Sequence, residues 1–349
     1  MHRDEKQERP QDLSRRKFIH LAVAGCGAAS MSGLAATCSP VGEEGGTLRN
    51  GDDGGKIQSH VVRLERPKML QVAGPLSGET AESLIDDLLA ALSADDPSAG
   101  LGRLFRPGER IGIKLNCLAG KGLSPTPALV HALLKRLQEA GHSPSNIVVF
   151  ERSERELKRV GFEINHGPGV RFLGNDSRGM QYDTEPTCYG SIGSCFARIL
   201  TREIDALINF GVLKDHDLAG VSVGMKNLYG LIHNPNKYHD NNCSPYVAHV
   251  AASPPVRKKL RLTLCDGLTA QYKGGPALKK SCTWRAGILL ASRDTVAIDA
   301  VGAHIIDQKR RAVGMKSLAD SNQAPLYLDE ARKIGLGENR LDRIKVTTI

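Results

Sequence analysis

Arg110-Ile111-Gly112-Ile113-Lys114-Leu115, a proline-opened apolar stretch stopped by Gly141, and Asn146-Ile147-Val148-Val149-Phe150 together decide the fold. Ile111, Ile113 and Leu115 alternate along a short strand, and 146–150 is the continuous apolar run of a strand buried on both faces. Between them, Pro125 or Pro127 opens a helix, because proline fits the first helical turn, where its missing N–H costs nothing. Leu129, Leu133, Leu134 and Leu137 share one face of that helix, and Gly141 ends it. Strand, helix and strand in this order form a βαβ unit, which builds a parallel sheet.

The same reading extends outward. Residues 57–64, 206–210, 260–265, 287–291 and 341–347 read as further strands. Residues 78–92 form a helix with Ala81, Leu84, Ile85, Leu88 and Leu89 on its apolar stripe. Residues 154–160, 194–203, 295–308 and 322–334 also read as helices, that at 295 capped by Asp294, whose carboxylate accepts from orphan backbone N–H groups. Residues 163–193, rich in Gly, Pro, Asp and Asn, read as loops with short strands. The expected class is α/β: a mostly parallel or mixed sheet flanked by helices. It occupies residues 57–349 as one large domain or two intimate lobes.

Ahead of this domain, Ser14-Arg15-Arg16-Lys17-Phe18-Ile19 precedes a weakly apolar run to about Ala36. Polar residues, paired arginines, an apolar region and then small residues are the order of a twin-arginine export signal, expected over 1–37. Gly25, Gly27, Ser30, Ser32 and Gly33 dilute the run too much for a spanning helix. Cleavage near Ala36, a lipoprotein box ending at Cys38, and a second box ending at Cys26 are the three ends this segment allows. Residues 38–56 read as a flexible tether. The twin-arginine machinery is therefore an expected partner. The expected location is the periplasm or extracytoplasmic envelope, without a transmembrane anchor and with a lipid tether if Cys38 is the acceptor.

The formal charge is +9, of which residues 1–37, with six Lys/Arg and four Asp/Glu, carry +2. Such a surplus fits an exported chain that handles anions, or one that simply stays soluble. Nucleic acid is excluded as a partner, because the basic residues are scattered, aromatics are only 4%, and no nucleic-acid module appears. Cys117, Cys188, Cys195, Cys243, Cys265 and Cys282 follow the signal in an oxidising compartment, which permits disulfides. No CxxC or C-x2-C-x2-C run occurs, which disfavours a redox dithiol, a zinc ribbon and a ferredoxin cluster. GxGxxG, GxxxxGK[ST] and GxSxG are absent too.

Five polar blocks interrupt this apolar framework, and ligands of α/β sheets sit beyond the carboxyl ends of strands. Lys114 and Asn116 close one strand ahead of Gly120-Lys121-Gly122; the alternative is a lysine snorkelling from an edge strand. Lys214 and His216 follow another strand, as a fixed charge and a proton carrier, or as an ordinary surface loop. Lys226, Asn227, His233 and His239 occupy the densest block, 224–243; the two histidines do not have a standard metal spacing. Asp266 follows a buried strand as base, histidine partner or cation ligand, or as half of an Asp-Gly turn. Asp299 falls inside an apolar helix, where an acid needs a partner.

Gly112-Ile113-Lys114-Leu115-Asn116, the Lys214 region, Gly224-Met225-Lys226-Asn227, Cys265-Asp266-Gly267 and the block 292–300 resemble the conserved blocks of the bacterial and archaeal domain family of unknown function numbered 362. The last block is similar to that family's Asp-Pro-Val-Ala-Leu-Asp stretch, with Thr295 in place of proline. The resemblance covers roughly residues 57 to 310. Many relatives append a ferredoxin-like segment that this chain lacks, so the resemblance implies no iron–sulfur centre here. It implies a fold and a site location, and no reaction.

The expected function is an exported protein that binds an anionic or oxygen-rich small molecule or cofactor, with redox or metal-assisted catalysis in view. His216, His233 and Asp266 are the catalytic candidates. Lys114, Asn116, Lys214, Lys226 and Asn227 are the binding candidates. No cofactor and no metal is assigned. A non-catalytic envelope binding protein and a disulfide-stabilised accessory protein are the alternatives.

Overall fold

Alternation along Ile111–Leu115 sends Ile111, Ile113 and Leu115 into one helical layer and Lys114 toward the other, and this placement of a lysine sets up the site. The computed structural model describes residues 58–66 and 75–349. The signal, tether and Cys38 readings lie outside the described residues. All described residues belong to one unit.

In chain order the strands are β1 (Ser59–Glu65), β2 (Ile111–Leu115), β3 (Ile147–Glu151), β4 (Arg171–Gly174), β5 (Thr187–Tyr189), β6 (Ile192–Ser194), β7 (Ala206–His216), β8 (Gly220–Val221), β9 (Leu260–Gln271), β10 (Thr283–Ser292) and β11 (Ile344–Thr348). Nine of them form one sheet in the order β11-β1-β10-β9-β7-β2-β3-β4, with β8 folded back on β7. Within that order only β10 and the short β8 run against their neighbours, so the sheet is mixed and mainly parallel.

The helices α1 (Gly78–Asp95) and α2 (Pro127–Glu139) cover one face. Their Leu84, Ile85, Leu88, Leu133 and Leu137 pack with Ile111, Ile113, Ile147 and Ile208. Each such leucine or isoleucine contributes roughly 1.5–3 kcal/mol on burial. Pro127 opens α2, and Gly141 ends it with a left-handed φ of 94°. A short helix, α3 (Glu154–Val160), follows β3. The helices α4 (Tyr246–Ala252), α5 (Thr295–Ala312) and α6 (Tyr327–Lys333) cover the other face, against Val148, Phe150, Leu207 and Leu213. Asp294 caps α5 by accepting from the N–H groups of Val296 and Ala297, as expected.

The chain lays β3 and β4 outward from one side of β2, then returns to put β7 and β9 on its other side. This reversal makes the junction of β2 and β7 a topological switch point, where a crevice opens at the carboxyl ends of parallel strands.

Two strands run further than their apolar cores suggest. β7 continues through Lys214-Asp215-His216, because it stays paired with β9 and then with β8. Gly211 permits this: a Cβ there would lie 1.5 Å from the Val223 carbonyl oxygen. β9 continues through Asp266-Gly267, which is therefore not a turn. Residues 194–203 yield only a π-helical turn at Ile199–Glu203. The last helix begins late, at Tyr327, because Asn322 is left-handed and Pro325 interrupts the pattern.

Candidate functional site

The ends of β2, β3 and β7 and the 3-10 segment Met225–Leu231 enclose a cavity of about 230 Å³. Lys114, Asn116, His216, Lys226 and Asn227 all line it. Five of the eight candidate residues, drawn from three separate blocks, thus converge on one space.

The Met225–Leu231 segment is held in place from below. Asp299 on α5 accepts from the N–H groups of Gly224 at 2.6 Å and Met225 at 3.1 Å, and from the Tyr327 hydroxyl at 2.8 Å. Burial raises its carboxyl to about 7, against the opposing pull of these bonds. These donors answer the need for a partner in an apolar helix. Farther along, Gly230 presses on Lys114: a Cβ there would meet Cε at 2.8 Å and Nζ at 2.9 Å. A side chain at 230 would close the approach of the segment to β2.

Lys114 is fully occupied. Its ammonium donates to Glu151 Oε2 at 2.8 Å, to Asn227 Oδ1 at 3.2 Å and to the Leu115 carbonyl at 2.5 Å. An ammonium has three donors, so Lys114 holds the walls together and has none to spare. It is a buried, paired lysine on a central strand, not one snorkelling from an edge. Asn227 also donates to Asn209 Oδ1 at 2.7 Å, and Asn209 donates to the Gly224 carbonyl at 2.9 Å.

Lys214 stands behind the cavity wall. It is fully buried and donates to Asn116 Oδ1 at 3.3 Å and to the Pro276 carbonyl at 3.1 Å. Asn116 in turn donates to Ser222 Oγ at 3.2 Å. Burial lowers the Lys214 ammonium to about 8, and Glu151 offsets part of that fall.

Lys226 is 7% exposed, and its Nζ lies 3.1 Å from His239 Nε2 and 3.5 Å from the centroid of the Tyr229 ring. No carboxylate pairs with it among the described residues. Burial lowers it to about 8. The His239 Nδ1 faces the Pro235 carbonyl at 3.1 Å, so Nδ1 carries the proton and Nε2 offers its lone pair to Lys226. Burial, then Lys226, lowers the His239 imidazole below its ordinary range.

His216 is buried, and its Nδ1 accepts from the N–H groups of Leu218 and Ala219, each at 3.2 Å. Its proton therefore sits on Nε2, as a donor on the cavity wall. Burial, with Lys226, His239 and Lys214 nearby, lowers it to about 2. The 3.2 Å contact of Nδ1 with Asp217 is accordingly not an ion pair, because the ring is neutral at physiological pH.

Two catalytic candidates stand apart. Asp266 does not line the cavity. It is buried, and its carboxylate accepts from Thr126 N–H at 2.8 Å, Thr126 Oγ1 at 2.7 Å and Leu268 N–H at 2.9 Å. It ties β9 to the start of α2. His233 is exposed and packs edge-on against Tyr182, outside the cavity lining. Among the described residues no group of three His, Cys, Asp or Glu side chains is placed to hold a metal ion. Cys117, Cys195, Cys243, Cys265 and Cys282 make no disulfide.

Glu151, Arg152, Glu156, Ser222 and His239 join the lining, although none is among the eight candidates. Glu151 closes β3, where an acid after an unbroken apolar run was the available signal. Glu156 is 5% exposed and pairs with Arg152 through one oxygen, while its Oε2 has no partner. Burial, then Glu151, raises its carboxyl.

The sequence model of a family described as a domain of unknown function, DUF362, matches residues 111–304. The chain belongs to this family. The DUF362 match begins at β2 and reaches into α5, so it is narrower than the resemblance suggested, yet it holds every cavity residue. The chain is also 27% identical over 246 residues to a thylakoid-associated protein of Synechocystis sp., covering 65% of this chain and 71% of that one. A solved Thermotoga maritima protein aligns with a TM-score of 0.40 at 11% identity, over 68% of this chain and 60% of its own length. No helix among the described residues is long and apolar enough to cross a membrane.

Proposed function

We propose that this DUF362 protein is exported and binds a small anionic, oxygen-rich molecule in the cavity at the carboxyl ends of β2, β3 and β7. The observation that carries this reading is Lys226, an ammonium buried on the cavity wall with an imidazole and a ring face as its neighbours and no carboxylate. An uncompensated buried cation is costly, and a bound anion removes the cost. Lys214, also without a carboxylate partner, adds positive potential from behind Asn116. The Nε2–H of His216 and the hydroxyl of Ser222 supply neutral donors to orient the ligand.

Binding is tested by thermal unfolding of the full chain with phosphate, sulfate and small carboxylates. A ligand at one hundred times its Kd adds about 2.7 kcal/mol of stability. One or more of these anions should raise Tm in the wild type, and Lys226→Ala should lose that rise. No rise with any of them, or an equal rise in Lys226→Ala, sinks the reading. Export to the periplasm or the outer face of the envelope is supported by the Arg15-Arg16 pattern, with Cys38 as the lipid acceptor if the chain is tethered. Replacing Arg15 and Arg16 together with lysine should leave the protein in the cytoplasmic fraction; unchanged fractionation would remove the twin-arginine route.

A further inference from the structure

We propose that Lys226 is an amine nucleophile that captures a small 2-oxo carboxylate as an iminium, with His239 as its proton acceptor. The proposal rests on the anion-binding reading of the same cavity and names its substrate class.

Three observations carry it. The first is the direction of the Lys226–His239 contact. The Pro235 carbonyl holds the His239 proton on Nδ1, so the Nε2 lone pair points at the Lys226 ammonium 3.1 Å away. A lysine met by a free lone pair at hydrogen-bond distance can release a proton along that contact. Lys114, by contrast, faces a carboxylate and two carbonyl oxygens, acceptors that are not bases in the way a free imidazole lone pair is. The second is desolvation: Lys226 is buried, and its pKa falls to about 8, the environment in which lysine becomes a nucleophile near neutral pH. The third is the Tyr229 ring, 3.5 Å below Nζ. Its face stabilises a cation, and an iminium keeps the positive charge that the ammonium carried.

The 2-oxo carboxylate follows from the neighbouring groups. The carbonyl carbon must meet Nζ, and the adjoining carboxylate needs donors beside it. The His216 Nε2–H and the Ser222 hydroxyl line the same cavity, with Lys214 behind Asn116.

The step balances without oxidant or reductant. His239 Nε2 takes one proton from the ammonium. The freed amine attacks the carbonyl carbon, the C–N bond forms and the π electrons move to oxygen. Protons passed back through His239 give a carbinolamine and then expel its oxygen as water. In sum, one ammonium and one carbonyl become one iminium and one water.

The test uses the full chain with pyruvate and sodium borohydride, then peptide mapping by mass spectrometry. Wild-type protein should carry one reduced adduct on the peptide containing Lys226. Lys226→Arg and Lys226→Met, each verified as folded by circular dichroism, should carry none there. His239→Gln should form the adduct about 100-fold more slowly. An unmodified Lys226 peptide, or adducts spread evenly over surface lysines, overturns the nucleophile. An unchanged rate in His239→Gln overturns the role of His239. Lactate, which has the carboxylate but no carbonyl, separates the two readings. A Tm rise with lactate but no pyruvate adduct leaves anion binding standing and removes the iminium. No adduct, and no rise with lactate, pyruvate, phosphate or sulfate, removes both.

Discussion

The two ends of the parallel strands treat charge in opposite ways. At their amino ends lies an open cleft of about 930 Å³, lined by residues that include His60, Asp95, Asp96, Arg261, Arg293 and Lys345. Its Arg261, Arg293 and Lys345 each meet a carboxylate, at 2.6 Å on Glu109, 2.8 Å on Asp96 and 2.8 Å on Asp95. At the carboxyl ends the cavity is about 230 Å³, and two buried lysines there, Lys214 and Lys226, hydrogen-bond only to neutral groups. Those three cations of the wide cleft are paired and reach water. The small cavity holds charge that the chain itself does not neutralise. Unmet charge, more than volume, marks where a ligand is needed.

The largest effect expected from this contrast is the loss of Glu151. Its carboxylate accepts from the Lys114 ammonium at 2.8 Å and from Cys117 N–H at 3.2 Å, and also from Arg152 N–H. Glu151→Ala would leave a fully buried ammonium without its counter-ion. Breaking such a pair from one side costs about 3–5 kcal/mol. Urea unfolding should show a loss of that order. A loss below about 1 kcal/mol would mean that Lys114 does not depend on Glu151.

The fold was legible because its information is local. Ile111, Ile113, Leu115, the leucine face of α2 and the run before Glu151 each follow from residue spacing, and the strands and helices appear where that spacing puts them. The site was only partly legible. Lys114, Asn116, Lys226 and Asn227 stand out because polar groups are expensive within apolar elements. Glu151 does not, because a single acid at a strand end is ordinary in sequence. Its value comes from lying across the sheet from Lys114, which no one-dimensional pattern records. Asp266 lies outside the cavity for the complementary reason. A carboxylate after a buried strand reads the same whether it faces a ligand or, as here, Thr126 at the start of α2. Lys214-Asp215-His216 reads as a loop because its letters are polar, and pairing with β8 and β9 overrides that preference.

A second prediction sharpens the contrast through pH. Burial depresses Lys226 from 10.5 to about 8. Below pH 8 both folded and unfolded chains hold its proton, and the fold bears the full cost of burying the charge. Between pH 8 and 10.5 the unfolded chain keeps the proton while the folded chain releases it, so stability rises with pH across that window. Lys226→Met removes the charge at similar volume. Without ligand it should be more stable than the wild type at pH 7, by about 1–3 kcal/mol. That advantage should shrink toward pH 10. Equal differences at pH 7 and pH 10 would show that Lys226 is not held as an uncompensated cation. The predicted gain is the signature of a residue kept for its ligand at a cost in stability.

The smallest effect belongs to the amino-end cleft. Arg293 meets Asp96 at 2.8 Å and Ser98 at 2.5 Å, and the Arg293 and Asp96 side chains are 48% and 38% exposed. Water already solvates both charges, so their attraction is weak and screened. Arg293→Ala should cost no more than about 1 kcal/mol. Raising the salt to 1 M, where screening acts within about 3 Å, should erase even that. The Glu151→Ala loss should persist in the same salt, because the Lys114 and Glu151 side chains are only 1% and 5% exposed and salt screens a buried pair far less. If the two substitutions responded alike to salt, the buried end would be as open to solvent as the cleft, and water would already meet the charge at Lys226.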